Sequence, residues 1–339
     1  MERNGFFRTG WLVMVLAALM SACDGQGKKK VSLGASQGLP GELLLIVDPS
    51  LWNTDARDSL ESVFQGSMPA LPQNEPVFRM MRIFPENYSG RFSMMRNIVE
   101  VREDPKVKEV EMGVAYNVKA VPQVYVSVKA RDAAALNRFL SEYRDRLTGY
   151  FVEGELRWEA DRLKRKYSKM VDDASREIFG WSVKTPSEIR SMKKGEDFLW
   201  ASTDRLDQDM NYVCYSVPLA DSAKMLTARW VELRDSAMKR NIPGSTPENW
   251  MTTTYENDEP LVMQRRVELP DGRKVYEMRG LWEMRKGALG GPFVSLAYPD
   301  SAHGRMLVAE GFIYSPKSKK RDLVRRMEAA LRTLMPAGK

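Results

Sequence analysis

The sequence predicts an α+β fold: two α/β units with mainly antiparallel sheets covered by helices. Three observations lead there. Strand-like runs outnumber helical ones. Most neighbouring runs are joined by short turns, the connection that antiparallel strands use. The helical stretches carry apolar residues at spacings of three and four along one side, so each has one face to bury. At 339 residues the chain is long enough for two cores of this kind.

The N-terminus is the first element to justify. Arg3 and Arg8 precede the apolar run Trp11 to Met20, followed by the small residues Ser21 and Ala22 and then Cys23. The run is too short to span a bilayer as a helix and has the order of a signal peptide. Met20-Ser21-Ala22-Cys23 resembles a bacterial lipobox, which implies cleavage before Cys23 and acylation of its sulfur and new amino group by chains such as palmitate. Residues 1–22 are then a signal peptide. Residues 23–41, with glycines, serines and Lys28-Lys29-Lys30, form a lipidated flexible tether. The expected domains are 42–175 and 176–339.

In the first domain Leu43 to Val47 is a buried strand stopped by Asp48-Pro49, and Ala56 to Phe64 a short helix. Strands follow at Val77–Phe84, Asn97–Arg102, Val110–Val118 and Gln123–Val128. Two amphipathic helices follow, over Asp132–Leu147 and about Glu153–Ile178. The second domain is richer in hairpins. Trp181–Val183, Phe198–Ser202 and Tyr212–Val217 read as strands, and Asp221 caps a helix through Arg240. Val262–Leu269 and Lys274–Met284 meet across the turn Pro270-Asp271-Gly272. Phe293–Tyr298 and Met306–Tyr314 meet across Pro299–Gly304, and Ser318 caps a last helix through Leu334. This order resembles a Mog1/PsbP-like α/β/α sandwich, the fold it implies for the second domain.

Composition excludes several chemistries. One histidine, His303, rules out multi-histidine zinc sites and leaves a Ser-His-Asp mechanism no other base. With Cys23 lipidated, Cys214 has no internal disulfide partner and sits in an apolar run that keeps its thiol protonated. The glycines from Gly287 to Gly291 lack the lysine and spacing of a phosphate loop. A calcium loop starting at Asp207 would need glycine and glutamate where Tyr212 and Pro218 stand. No metal or cofactor is therefore expected. Charge falls from +7 to +6 when one acidic and two basic residues leave with the signal peptide. An envelope location argues against nucleic acid as the partner. Acid pairs such as Glu153 with Glu155 are adjacent in sequence, which does not bring two carboxyls to one cleft.

Aromatic residues beside turns and glycines are the candidate binding residues: Trp52 after the first strand, Trp282 after Gly280, and Phe293 after Gly290 and Gly291. The glycines either let backbones pack closely or leave a groove walled by Trp282 or Phe293. Asp58-Ser59-Leu60, Asp221-Ser222-Ala223, Asp235-Ser236-Ala237 and Asp300-Ser301-Ala302 resemble the Asp-Ser/Thr-apolar O-glycosylation sequon of Bacteroidota, with Ser301 as the acceptor in a turn.

The lipobox, Trp52, Glu75-Pro76-Val77-Phe78, Arg96-Asn97-Ile98, Pro122-Gln123, Gly290-Gly291-Pro292-Phe293 and Glu310 to Pro316 through Lys320-Arg321 together resemble a Bacteroidota lipoprotein family, domain of unknown function 4837. The resemblance covers nearly all of the mature chain. It implies an envelope location and supplies no active site. The leading reading is a membrane-anchored, non-catalytic lipoprotein that binds or scaffolds an envelope protein or glycan, at the periplasmic face of the outer membrane. The alternatives are a carboxylate-dependent glycan or peptidoglycan hydrolase and a carrier of an apolar ligand.

Overall fold

A computed structural model describes residues 33–219 and 227–338. The signal peptide, Cys23, most of the tether, Asp221 and Ser222 lie outside the described residues. The chain divides into two compact units, one made of residues up to Leu60 with Met80–Arg144, the other of Glu61–Arg79 with Asp145 onward. This division does not follow the boundary expected near residue 175. The stretch 61–79 belongs with the C-terminal half, through long-range contacts that no local pattern announces.

In the first unit the elements are β1 (Glu42–Val47), the start of α1 (Ala56–Gln65), β2 (Arg79–Ile83, from Met80), β3 (Asn97–Glu103), β4 (Glu111–Tyr116), β5 (Val124–Ala130) and the start of α2 (Ala133–Arg165). The sheet order is β2-β1-β3-β5-β4. Its centre is parallel, with β1 beside β3 and β3 beside β5, while β4 returns antiparallel to β5. That parallel centre departs from the antiparallel expectation for this unit. Leu43, Leu45 and Val47 share one face with Val99, Val101, Val126 and Val128, all buried. The opposite face packs Leu44, Ile46, Met95 and Ile98 with half-buried Tyr88, Phe92 and Tyr125. Apolar residues on both faces of β1 explain its unbroken run.

α2 is one helix where two were expected. Asp132 Oδ1 accepts the Ala135 N–H at 2.8 Å and starts it. Gly149, in the expected gap, has open space where a Cβ would stand. An interior glycine costs only about 1 kcal/mol, too little to break a helix whose flanks are buried. The break comes instead at residues 166–168, where the Ser168 N–H turns to Thr185 O at 3.1 Å, before α3 (Lys169–Phe179).

The second unit carries an eight-stranded antiparallel sheet. Its strands are β6 (Ser191–Lys194), β7 (Phe198–Ser202), β8 (Asp209–Pro218), β9 (Met251–Thr253), β10 (Val262–Glu268), β11 (Lys274–Met284), β12 (Gly290–Asp300) and β13 (Arg305–Tyr314), with α4 (Thr227–Asn241) following β8 and α5 (Arg321–Leu331) following β13. The order is β9-β11-β12-β13-β8-β7-β6, and β10 also pairs with β11. Side chains alternate cleanly. Tyr212, Cys214, Leu296, Tyr298, Leu307 and Ala309 meet Val171 and Phe179 of α3 and Val324 and Met327 of α5. Val213, Tyr215, Phe293, Ala297, Val308 and Phe312 meet Trp230, Val231 and Met238 of α4. The result is helix, sheet, helix. Leu156 and Leu163 of α2 bury against Ala329 and Ala330 of α5.

The last helix is capped differently from the expectation. It begins after Lys320, and no side-chain bond from Ser318 caps it. Glu75 does so from a distance, its two oxygens accepting the N–H groups of Lys320 (2.6 Å) and Arg321 (3.2 Å). A carboxylate there satisfies free donors and faces the positive end of the helix dipole.

Candidate functional site

Candidate residues from the sequence fall mainly into the core. Trp282 is 4% exposed and Phe293 1%. Trp282 donates its Nε1–H to Ile313 O at 3.2 Å and meets Phe312 edge-on at 5.2 Å. Phe293 lies opposite Gly280 across β11 and β12, and its ring occupies the space a Cβ at Gly280 would need. A Cβ on Gly291 would stand 2.0 Å from Ile313 O, and one on Gly290 2.9 Å from Trp282 O. These glycines permit close strand packing, and the groove walled by Trp282 or Phe293 is not there. Trp52, in the first unit, is half-buried beneath two guanidinium groups, Arg57 at 5.2 Å and Arg82 at 4.9 Å. Ser301 is exposed in the turn Ser301–His303. Asp300 anchors that turn, accepting His303 Nδ1 and Arg305 Nε at 2.9 Å each. Burial opposes ionisation of Asp300, but these two bonds outweigh it and hold its carboxyl below the usual range.

Several buried ionisable groups are also engaged internally. Arg234 and Glu310, both fully buried, form a two-pronged ion pair at 2.9 and 2.7 Å, and Ser295 donates to the same carboxylate. The Phe293 ring lies 4.0 Å from the Arg234 guanidinium. On the other side of the sheet Arg279 links Glu277 at 2.8 Å to Glu328 at 2.6 Å, and Arg332 links Glu328 to Glu153. Asp172 accepts Ser182 Oγ, Val183 N and Lys184 Nζ within 2.9 Å. Cys214 is buried and its thiol is pushed up by desolvation. Among the described residues no group of three or more His, Cys, Asp or Glu has the arrangement to hold a metal ion.

A cleft of about 330 Å³ opens between α4 and the β6–β7–β8 side of the sheet. Leu233, Ser236, Ala237 and Arg240 line it from one stripe of α4, and Phe198, Tyr215, Ser216 and Val217 from the strands. Glu196 and Asp197 form one rim, in the turn between β6 and β7 closed by Gly195 N–H to Phe198 O at 2.7 Å. Ser216 Oγ donates to Asp197 at 2.6 Å. Arg240 forms the other rim, with Nη1 3.1 Å from Ser236 Oγ. Phe198 and Tyr215 pair across β7 and β8 and make an apolar floor. Burial, with Glu310 behind it, keeps the Tyr215 phenol protonated. The cleft floor is thus almost wholly covered by the protein itself, with exposed Glu196 on one rim and exposed Arg240 on the other, while the Asp197 carboxylate turns with Ser216 toward the opposite face of the sheet. Sequence reading found the α4 stripe through Leu233 and Ala237. It missed the cleft because Glu196 and Asp197 reach it only through the pairing of β7 with β8.

Residues 166–333 match the family described as Domain of unknown function (DUF4837), and residues 36–164 match Domain of unknown function (DUF8532). The first family therefore covers the C-terminal half rather than nearly all of the mature chain, and the N-terminal half carries a different one. No curated protein matches the chain. A solved human StarD13 (DLC2) lipid transfer and protein localization domain is 14% identical, covering 49% of this chain and 93% of that chain with a TM-score of 0.20. A likeness that slight bears on neither fold nor function.

Proposed function

We propose that this chain, whose residues 166–333 belong to the DUF4837 family, is a membrane-anchored bacterial envelope lipoprotein that works by binding, with the cleft beside α4 as its contact site. Acylation at Cys23 tethers it to the periplasmic face of the outer membrane in a Bacteroidota-type envelope, with Ser301 as an O-glycan acceptor. The layering of the second unit supports a likeness to the Mog1/PsbP-like sandwich as part of the same reading.

The observation that carries this reading is the make-up of the cleft. Carboxylate catalysis on a glycan needs two acids facing each other across the scissile bond. Here Glu196 and Asp197 are consecutive residues of one exposed turn, on the same rim. A carrier of apolar ligands needs an enclosed apolar cavity. This cleft is open, and polar groups share its lining with apolar ones. An open cleft with a fixed floor and charged rims suits recognition.

The test is site-specific photocross-linking in intact cells, using full-length anchored protein with a photoreactive residue at Ser236. A discrete adduct is expected from Ser236 and not from a control position on exposed Leu206. Equal labelling from both positions, or none from Ser236, overturns the reading.

A further inference from the structure

A small ribbon closes one end of the first-unit sheet. Gly34–Ala35 runs parallel to Ala120–Val121, with Gly34 beside Ala120 and Ala35 beside Val121, and the Ser36 N–H donates to Val121 O at 3.0 Å. Ala120 is fully buried, and side chains alternate along an extended chain, so Ala35 and Val121 turn outward together. Leu33 and Val118, close to the ribbon on its two strands, are exposed as well, 39% and 41% against 44% for Val121. The loop carrying Val118 and Val121 has a fixed backbone. Asn117 Oδ1 accepts the Gln123 N–H at 3.0 Å, and Gln123 Oε1 accepts the Lys119 N–H at 2.9 Å. Gln123 Nε2 in turn donates to Ser93 O and Met95 O at 2.8 Å each. Aliphatic side chains are therefore held in solvent by a built loop. The charged side chain within residues 33–41 and 117–123 is Lys119.

We propose that this end of the first unit rests on the anionic membrane surface to which the chain is tethered. Leu33, Val118 and Val121 enter the headgroup region, and Lys119 meets lipid phosphate. This inference rests on the lipid anchor at Cys23. Leu33 follows Cys23 by ten residues, a length that reaches roughly 35 Å even when fully extended. The ribbon is thus the part of the described fold nearest the anchor along the chain, and the tether keeps it at high local concentration over the lipid. Apolar side chains exposed there lose their contact with water at the boundary between headgroups and acyl chains. A lysine among them is attracted by the negative surface, and no carboxylate in these two stretches opposes it. Three partly exposed side chains are too few to hold the chain without its lipid. The contact therefore sets how the first unit lies on the membrane, while the acyl chains set whether it stays.

The experiment places the full lipidated chain in vesicles of phosphatidylethanolamine and phosphatidylglycerol, with nitroxide-labelled lipid as quencher. Cys214 is buried and Cys23 acylated, so a thiol-reactive nitrobenzoxadiazole dye reports from an introduced cysteine alone. Val121→Cys puts the dye on the ribbon, and Lys106→Cys puts it at the far end of the same sheet, beyond Glu103 and Glu111. Both positions are exposed, so both variants should fold as the native chain does. Quenching at residue 121 should exceed that at residue 106 several-fold. Leu33→Ser with Val118→Ser should remove most of this excess and Lys119→Gln part of it, and the chain should still float with the vesicles in each case. Equal quenching at the two positions, on a chain that floats, would overturn the inference and leave the anchor in place. An excess that survives Leu33→Ser with Val118→Ser would come from the dye and would overturn it too. A dye at residue 121 that is shielded from water without being quenched by lipid would give the surface to a second copy or another protein segment, and the lipid assignment would fall. A chain that does not float would overturn the anchor, and the inference with it.

Discussion

At the scale of single residues, buried charge decides more of this molecule than exposed charge does. Glu310 and Arg234 are both fully buried, so removing one partner leaves an uncompensated charge in the core. Arg234→Met should therefore cost about 3–5 kcal/mol in chemical denaturation. Replacing both residues, as Arg234→Met with Glu310→Leu, should recover at least half of that loss, because neither charge is then stranded. A double variant as unstable as the sum of the singles would mean that the pair does not act as a unit. Glu277 gives the pH counterpart. Burial opposes its ionisation, but Arg279 and Arg265 outweigh burial and hold its carboxyl at about 2. That folded value lies below the ordinary glutamate value of about 4.3. Ionised Glu277 therefore stabilises the fold above the ordinary value, and this contribution is lost as pH falls toward about 2. Urea unfolding at a series of pH values should lose stability less steeply across that acid window in Glu277→Gln than in the native chain. Parallel slopes would show that Glu277 ionises no more readily folded than unfolded.

At the scale of elements, the cap on α5 is the least local device. Glu75 reaches the helix start from a segment some 245 positions earlier, and the same segment receives Arg321 Nη1 at Pro76 O (3.0 Å) and Arg325 Nη2 at Val77 O (2.7 Å). Phe78 then lies 4.8 Å from the Arg325 guanidinium. Glu75→Ala leaves two helix N–H groups without their acceptor and should destabilise the second unit by about 1–2 kcal/mol in denaturant titration. Glu75→Gln should recover part of this, since its amide oxygen still accepts. No loss in either variant would mean that solvent caps the helix equally well. This device marks the limit of what the chain discloses locally. Strand signals placed β3, β5, β8, β11, β12 and β13 closely, β5 by its alternation of buried and half-buried residues and β8, β12 and β13 by apolar runs buried on both faces. They could not show that Glu75-Pro76-Val77-Phe78 and Lys320-Arg321 meet, whereas the hairpin expected across Pro299–Gly304 already brings Phe293 opposite Phe312. The first of these family-like groups is a joint between distant segments. Trp282 and Phe293 looked like groove walls. Glycine beside an aromatic ring signals close packing as readily as an opening, and only the position of Ile313 and Phe312 decides between them. The cleft was half legible, since α4 carries its stripe in sequence while the acidic rim arrives through strand pairing.

At the scale of the whole molecule, the proposed envelope location requires an attachment that would hold the body to a membrane. No helix of the described residues is long and apolar enough to cross one. On the proposed reading the lipid at Cys23 supplies the attachment. Each buried acyl methylene contributes about 0.8 kcal/mol, so one chain binds marginally and reversibly whereas several together make release negligible. The lysines at 28–30 add at most about 1 kcal/mol each near an anionic surface, and salt screens that contribution. The two contributions separate experimentally. In cells fed a clickable palmitate analogue, the native protein should carry the label and stay in the membrane pellet through a high-salt wash and an alkaline carbonate wash. Cys23→Ser should lose the label and leave the pellet in either wash. Replacing the three lysines with glutamine should change neither labelling nor retention. Retention of unlabelled Cys23→Ser through both washes would transfer the anchoring role to the folded body, and the surface of the two α+β units would then have to supply a membrane contact that the lipid reading does not require.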